Sequence, residues 1–390
     1  MTAFSITSIA SLAEVSAAAW DALAGASGGN VFVRHAFLHA LSESGCATAE
    51  RGWTPCHLLA HDEQGALRAA MPLYRKAHSF GEYVFDWSWA RAWQRAGGEY
   101  YPKLVAAVPF TPCTGPRVLA ADAEASSALI AGALEFARRD AVSGLHVLFP
   151  TSEEAAAWQR AGLSLREGVQ FHWTNAGQST FADWLGSMSH DKRKRIRQDR
   201  RYVAEQGLRW RHARGAAITA ADWAFFHVCY EATYHGHGAT PYLNLEFFRA
   251  FGARCGDAAL LFIGEREGEP LCASLCALSG DTLYGRYWGT RVPLRSLHFE
   301  ACYYQPIEWC IGHGVRRFEG GAQGVHKLAR GLLPSATVSA HWLADERFDA
   351  AVREALAHER RDVEEAIDEL TEHSPFKLAP ASASMDEDNA

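Results

Sequence analysis

The nine cysteines contain no C-x-x-C pair. Their scatter excludes a clustered zinc site of the usual spacing and a paired disulfide scaffold. They read as buried apolar thiols in a reducing compartment. The first 30 residues lack a basic stretch followed by an apolar core, so no secretory signal is expected. No run of about 18 uninterrupted apolar residues occurs, so no membrane span is expected. Lysine is missing altogether before Lys76. The chain also lacks a basic excess: 38 Lys+Arg against 45 Asp+Glu give a net charge of −7, which argues against a protein that coats nucleic acid over its whole surface. The compartment expected from these absences is the cytoplasm. What is present is ordinary globular composition. Hydrophobic residues make up 48% and charged ones 21%, which excludes a mainly disordered chain, a collagen-like repeat and a coiled coil. A length of 390 residues suggests two or three domains.

The two halves resemble each other. Residues 149–173 (FPTSEEAAAWQRAGLSLREGVQFHW) align without a gap to residues 318–342 (FEGGAQGVHKLARGLLPSATVSAHW). Phe149 meets Phe318, Gly162 meets Gly331, and His172-Trp173 meets His341-Trp342. The elements before them correspond as well. Strand-like His57–His61, a turn at 62–65 and a strand over 67–74 form a hairpin, repeated at 260–264, 265–269 and 271–278. Residues 83–86 and 283–288 are the next expected strands. Helix and strand follow at 125–140 and 145–149, and again at 297–312 and 316–319. A helix over 153–161 carries a capping box from Thr151 and Glu154. Helices over 15–23 and 35–44 precede the first hairpin, and helices over 221–233 and 246–253 the second. The order predicts an α/β fold with mixed sheets and helices on both faces, repeated once. The expected division is a first domain at 1–185 and a second at 186–345, beginning with a basic helix over 191–206. A C-terminal helix at 346–373 and a disordered acidic tail at 374–390 follow. Phe348, Val352, Leu356, Val363, Ile367 and Leu370 give the C-terminal helix an apolar stripe.

Five places concentrate chemistry. Arg286, Tyr287, Trp288 and Arg291 lie where the strand at 283–288 ends, and fit either an anion or acyl-donor site or solvated loop residues. The helix at 297–312 carries His298, Glu300, Tyr303 and Tyr304 among apolar residues, and Pro306 should kink it. Its polar groups fit a cleft wall or satisfied core groups. Residues 318–331 bring Glu319, Gln323, His326, Lys327 and Arg330 onto one glycine-rich loop. General acid–base group transfer needs a base to take a proton and donors to hold a developing negative charge. Glu319 or His326 suits the first role, and Lys327 or Arg330 the second. In the first half Lys76, His78 and Arg117 flank the corresponding opening and fit an acceptor site or a structural role. Finally, seven Lys/Arg fall between residues 189 and 201. Lys192, Arg193, Arg197 and Arg200 are the candidate phosphate contacts, for tRNA or an anionic membrane surface. Seven charges cannot share one helix face, so some must be solvated. No metal site is expected.

Two such units in tandem resemble the double acetyltransferase-like (GNAT) fold of the FemABX aminoacyl transferases. The likeness is greatest to the FemAB-like family usually labelled peptidoglycan biosynthesis or recognition. It is carried by residues 81–90 (GEYVFDWSWA), 100–104 (YYPKL), 108–117 (VPFTPCTGPR), 170–173 (QFHW), 192–201 (KRKRIRQDRR), 283–289 (LYGRYWG), 297–311 (LHFEACYYQPIEWCI) and 318–331 (FEGGAQGVHKLARG). The resemblance implies transfer of an acyl or aminoacyl group to an amine. The co-substrate would be aminoacyl-tRNA or acyl-CoA, with no permanently bound cofactor. The acceptor would be a small-molecule or peptide amine such as a cell-wall precursor. A non-catalytic precursor-binding or RNA-binding module on the same fold is the alternative. Lys327 and Gly331 stand two residues further apart than the family's Phe-Lys-x-Gly-Phe run, and 286–291 matches only the first half of an acetyl-CoA loop.

Overall fold

The computed structural model describes residues 4–322 and 324–377. The first half runs β1 (Ser5–Ile9), α1 (Ala17–Ala26), α2 (His35–Glu43), β2 (Trp53–Pro55), β3 (His57–His61), β4 (Leu67–Met71) and β5 (Leu73–Lys76). It continues with α3 (Trp87–Arg95), β6 (Lys103–Ala106), β7 (Leu119–Ala120), α4 (Ala123–Arg139), β8 (Gly144–Leu148), α5 (Ser152–Arg160) and β9 (Ser164–Thr174). Then come α6 (Phe181–Ser187), the basic helix α7 (His190–Glu205), β10 (Arg209–Arg214), α8 (Ala220–Gly236), α9 (Leu245–Arg254), β11 (Ala259–Arg266), β12 (Glu269–Ser279) and β13 (Thr282–Thr290). The chain closes with α10 (Leu297–Phe299), α11 (Gln305–Gly312), β14 (Arg317–Glu319), β15 (Leu333–Leu343) and α12 (Glu346–Glu372).

Eleven strands form one mixed sheet in the order β10-β11-β12-β13-β14-β9-β15-β8-β6-β5-β2, and β1-β3-β4-β7 form a second. The repeated α/β plan is therefore present, but the sheet does not break between its copies. β9 lies between β14 and β15, and β15 lies between β9 and β8. The last strand of each half is thus inserted beside strands of the other. The β9–β15 pairing runs from Leu333 opposite His172 to His341 opposite Ser164.

Several local expectations change. The strand expected over 67–74 divides at Pro72, which has no N–H to give a ladder. Its two parts, β4 and β5, enter different sheets. Residues 83–86 are not a strand. Tyr83 and Phe85 take φ of 63° and 55°, and the segment instead turns the Glu82 and Asp86 carboxylates inward onto Lys103. Thr151 does cap α5, accepting from Glu154 N at 3.2 Å. The second half of the expected capping box is replaced. Glu154 accepts from Arg117 N at 2.7 Å, Val118 N at 3.2 Å and Trp158 Nε1 at 3.0 Å. In α12, Phe348, Val352 and Leu356 are buried, in a cluster with Trp89 and Tyr100, while Val363, Ile367 and Leu370 are half-buried. The end of the expected acidic tail, 378–390, lies outside the described residues.

Pro306 acts differently from a simple kink. One wide π turn, Glu300–Tyr304, links α10 to α11, with Gln305 N donating to Glu300 O. The next bond of that pattern would run from residue 306 to Ala301 O, and proline has no N–H to make it. Ser274 of β12 fills the gap: its hydroxyl donates to Ala301 O at 2.6 Å.

Candidate functional site

β13 and β14 are parallel neighbours over only three residues, Thr282 to Tyr284 opposite Arg317 to Glu319. Beyond that point they part. β13 continues to Thr290, and its register with β12 slips between Leu275 and Cys276, leaving Arg286 as the extra residue. β14 ends at Glu319, and the chain turns away through Gly321 and Gly324 at φ +79° and +106°, where a side chain would be strained. A short 3₁₀ turn, Val325–Arg330, then carries His326 and Lys327 back to the opening. α8 closes the far side. It lies so near β13 that a Cβ on Gly289 would sit 1.9 Å from Cys229 O. Thr233 of α8 then donates to Trp288 O at 2.9 Å.

The result is a cavity of about 520 Å³. Arg286, Tyr287, Trp288, His298, Tyr303, His326 and Lys327, all candidates from the sequence, line it. No carboxylate lines it among the described residues, so its charge is cationic. Lys327 is 3% exposed, and its ammonium donates to Gly321 O at 2.7 Å and Ala322 O at 3.1 Å. Burial pulls it down to about 8. His326 Nε2 lies 3.0 Å from Tyr303 Oη, across the cavity wall, and burial lowers its imidazole with Lys327 and Arg330 adding to the drop. His298 packs on Trp288 with ring centroids 4.7 Å apart, and burial holds it at about 4. Both imidazoles are therefore neutral bases at neutral pH.

Glu319 sits directly behind the opening rather than in its wall; the residues after it, Gly320 to Ala322, line the cavity. Burial raises its carboxyl to about 7, against the opposing pull of Arg317 and Arg286. Its Oε2 has no hydrogen-bond partner and lies 3.9 Å from His172 Nε2. Gln323 lies outside the described residues.

The other candidates go elsewhere. Glu300, Tyr304 and Arg330 face α7, not the cavity. Tyr304 donates to Asp199 Oδ2 at 2.9 Å, and Arg330 lies 3.8 Å from the same oxygen and stacks 3.7 Å over Phe299. Glu300 accepts from Gln305 Nε2 at 2.7 Å and pairs with Arg200 at 3.2 Å. Arg200 also binds Glu308 at 2.6 Å, so its charge is spent inside the fold and not on a phosphate. Arg291 is exposed outside the cavity. Lys76 is buried 3.6 Å over the Trp53 ring, and burial lowers it to about 7. His78 is half-buried and accepts from Phe80 N at 3.2 Å. Arg117 is 1% exposed and spends its guanidinium on four carbonyls: Leu148 and Cys113 at 2.8 Å, Gly115 at 3.0 Å and Pro116 at 3.2 Å. None of these three reaches the cavity, because each is committed to closing its own loop.

On α7, Lys192 and Arg193 are half-buried and Arg197 is exposed. Arg193, Lys194, Arg197 and Arg201 line a groove of about 360 Å³ with His190 and Gln198. Tyr83, Tyr230, Tyr234 and Ser274 line the main cavity and were not anticipated. Only the i, i+4 spacing of Tyr230 and Tyr234 hinted at a shared face. Among the described residues, no group of three His, Cys, Asp or Glu is placed to hold a metal ion, and all nine cysteines are free. No helix among them is long and apolar enough to cross a membrane.

No curated protein matches this sequence. Solved structures show its fold. FemX covers 87% of this chain and 98% of its own at 11% identity, with a TM-score of 0.56. L-PGS from Bacillus licheniformis covers 87% and 94% at 11% identity, with a TM-score of 0.52. The chain thus has the α/β architecture expected of two tandem GNAT-like units. Residues 11–378 match the FemAB-like family, described as peptidoglycan biosynthesis/recognition, and the chain belongs to that family.

Proposed function

We propose that the chain is an N-acyltransferase that moves an acyl or aminoacyl group from a thioester or tRNA ester to an amine. The single observation carrying this reading is the parting of β13 from β14. It opens a cation-lined cavity onto unpaired sheet backbone and gathers two neutral imidazoles and a buried lysine around it. Such a site suits a reaction in which an amine loses a proton while a carbonyl oxygen gains charge. The acceptor amine attacks the donor carbonyl carbon directly. His326 takes the amine proton, with Glu319 behind the opening as its alternate. Lys327 faces the tetrahedral oxyanion or the donor's phosphate. Arg286, Tyr287, Trp288, His298 and Tyr303 shape the donor and acceptor sites.

Family membership supports a peptidoglycan-precursor amine as acceptor and acyl-CoA or aminoacyl-tRNA as donor. The α7 groove favours the tRNA ester, because Arg193, Lys194, Arg197 and Arg201 present cations on one surface. We assign the reaction to the cytoplasm and divide the chain into units at 1–185 and 186–345. The test is turnover by the purified protein with labelled acyl-CoA and aminoacyl-tRNA donors, offered with muramyl-peptide acceptors. Lys327→Ala and His326→Gln should each lower turnover at least tenfold without loss of folded protein. Tight precursor binding with no turnover of either donor would establish the non-catalytic alternative. A donor affinity that does not fall with salt would remove the role of α7.

A further inference from the structure

A second polar array lies in the sheet, across β15 and β8. Ser339 and His341 are two residues apart on β15, so their side chains stand on one face. Ser339 Oγ lies 2.8 Å from His341 Nε2. His341 Nδ1 lies 2.7 Å from Nδ1 of His146, its partner across the ladder on β8. Both histidines are 1% exposed. Burial holds His146 near 3, with Lys103 adding to the drop and Asp86 opposing it, and burial keeps His341 well below its ordinary value. Both rings are therefore neutral, and one proton lies between the two Nδ1 atoms.

The contacts admit two arrangements of that proton, and only one leaves His341 Nε2 free to accept. His146 Nε2 and Asp86 Oδ1 are both buried without a partner. The reactive arrangement carries the hydrogen on His146 Nε2. His146 Nδ1 then accepts from His341 Nδ1–H, and His341 Nε2 is left to accept the Ser339 hydroxyl proton. The chain reads serine, histidine, histidine. Its serine end faces a cavity of about 280 Å³, lined also by Phe149, Gly168, Gln170 and Thr337. This cavity shares Tyr83 and Ala322 with the larger one, and Arg166 and Glu359, paired at 2.7 Å, also border it. A buried hydroxyl aligned on a neutral imidazole, and open to a cavity, is the arrangement that activates a serine.

We propose that Ser339 is a second reactive centre, a nucleophile that accepts an acyl group from an activated ester or thioester with His341 as its base. Ser339 Oγ bonds to the carbonyl carbon as its proton passes to His341 Nε2. The bond from carbonyl carbon to the leaving oxygen or sulfur breaks, and that proton departs with the alcohol or thiol. Water or an amine then attacks the acyl-serine, and its proton returns through His341 to Ser339 Oγ.

The test uses the full chain with an alkyl fluorophosphonate and, separately, 4-nitrophenyl acetate. Intact mass should show one phosphonyl adduct per chain, and peptide mapping should place it on Ser339. The acetate ester should give a burst of one 4-nitrophenolate per chain. Ser339→Ala, whose fold is checked by its melting curve, should lose both signals. His341→Gln should slow labelling at least 100-fold. No adduct, an adduct mapped to another residue such as Lys327, or labelling of Ser339→Ala at the wild-type rate would each overturn the proposal.

Discussion

Replacing Arg117 with methionine separates a structural arginine from a ligand-binding one. The side chain is fully buried and donates to four backbone carbonyls of the 113–116 loop and β8, with no carboxylate accepting from its guanidinium. Charge-assisted bonds of this kind contribute about 2 kcal/mol each, so four contribute about 8 kcal/mol. Burial opposes them. It lowers the guanidinium to about 10, a cost of about 3 kcal/mol that the substitution returns. Methionine recovers a further fraction through apolar burial, leaving a net loss of about 4 kcal/mol. At an m-value of about 5 kcal/mol per M in guanidinium chloride, the unfolding midpoint should fall by about 0.8 M. Equilibrium denaturation followed by tryptophan fluorescence measures this. A midpoint unchanged within about 0.2 M, together with lost ligand binding, would refute the structural assignment and restore Arg117 as a binding residue.

Gly289→Ala should destabilise by about 3 kcal/mol, because its Cβ would meet the α8 backbone at Cys229 O, 1.9 Å away; a denaturant midpoint equal to wild type would contradict that close approach. His57 is fully buried, accepts from Leu73 N at 3.2 Å and is held at about 3 by burial. Between pH 6.5 and 3 the unfolded chain takes a proton there that the folded chain does not. Its stability contribution is therefore present above pH 6.5 and falls as pH drops, by about 1.4 kcal/mol per unit. Denaturation at pH 6.5 and 5 should show His57→Gln losing about 2 kcal/mol less than wild type over that step. Glu319 titrates near 7, so a base role predicts a transfer rate that rises with pH through about 7. Glu319→Gln should flatten that profile and lower kcat/KM about 100-fold; an unchanged profile would leave His326 as the base.

Local features were legible where local physics decides them. The helices at 346–372 and 191–206 follow from apolar spacing and end signals, and the two hairpins from alternation and turn residues. His326 and Lys327 were legible as cavity-lining candidates because glycines at 321 and 324 turn the chain back there. Pro306 was read as a break, but its consequence depends on Ser274, which is distant in sequence and supplies the missing donor to Ala301. The fate of charged residues was less legible. Lys76, Arg117, Arg200 and Arg330 looked like binding groups, yet each is held by an aromatic ring, a carbonyl or a carboxylate from another element. A sequence records that a charge is present and not whether it already has a partner.

The sequence by itself determined the repeated α/β plan, the basic stretch at 191–206 and the glycine loop that carries His326 and Lys327. These rest on periodicity, composition and backbone freedom, which act over a few residues. The tertiary structure decided that β9 and β15 are inserted beside strands of the opposite half, that β13 parts from β14 beyond Tyr284, and that Tyr83 and Tyr230 meet at the opening. It alone placed Ser339, His341 and His146 in line across two strands. Those arrangements depend on which distant strands pair and which buried groups find partners, free energies that no local pattern in the chain encodes.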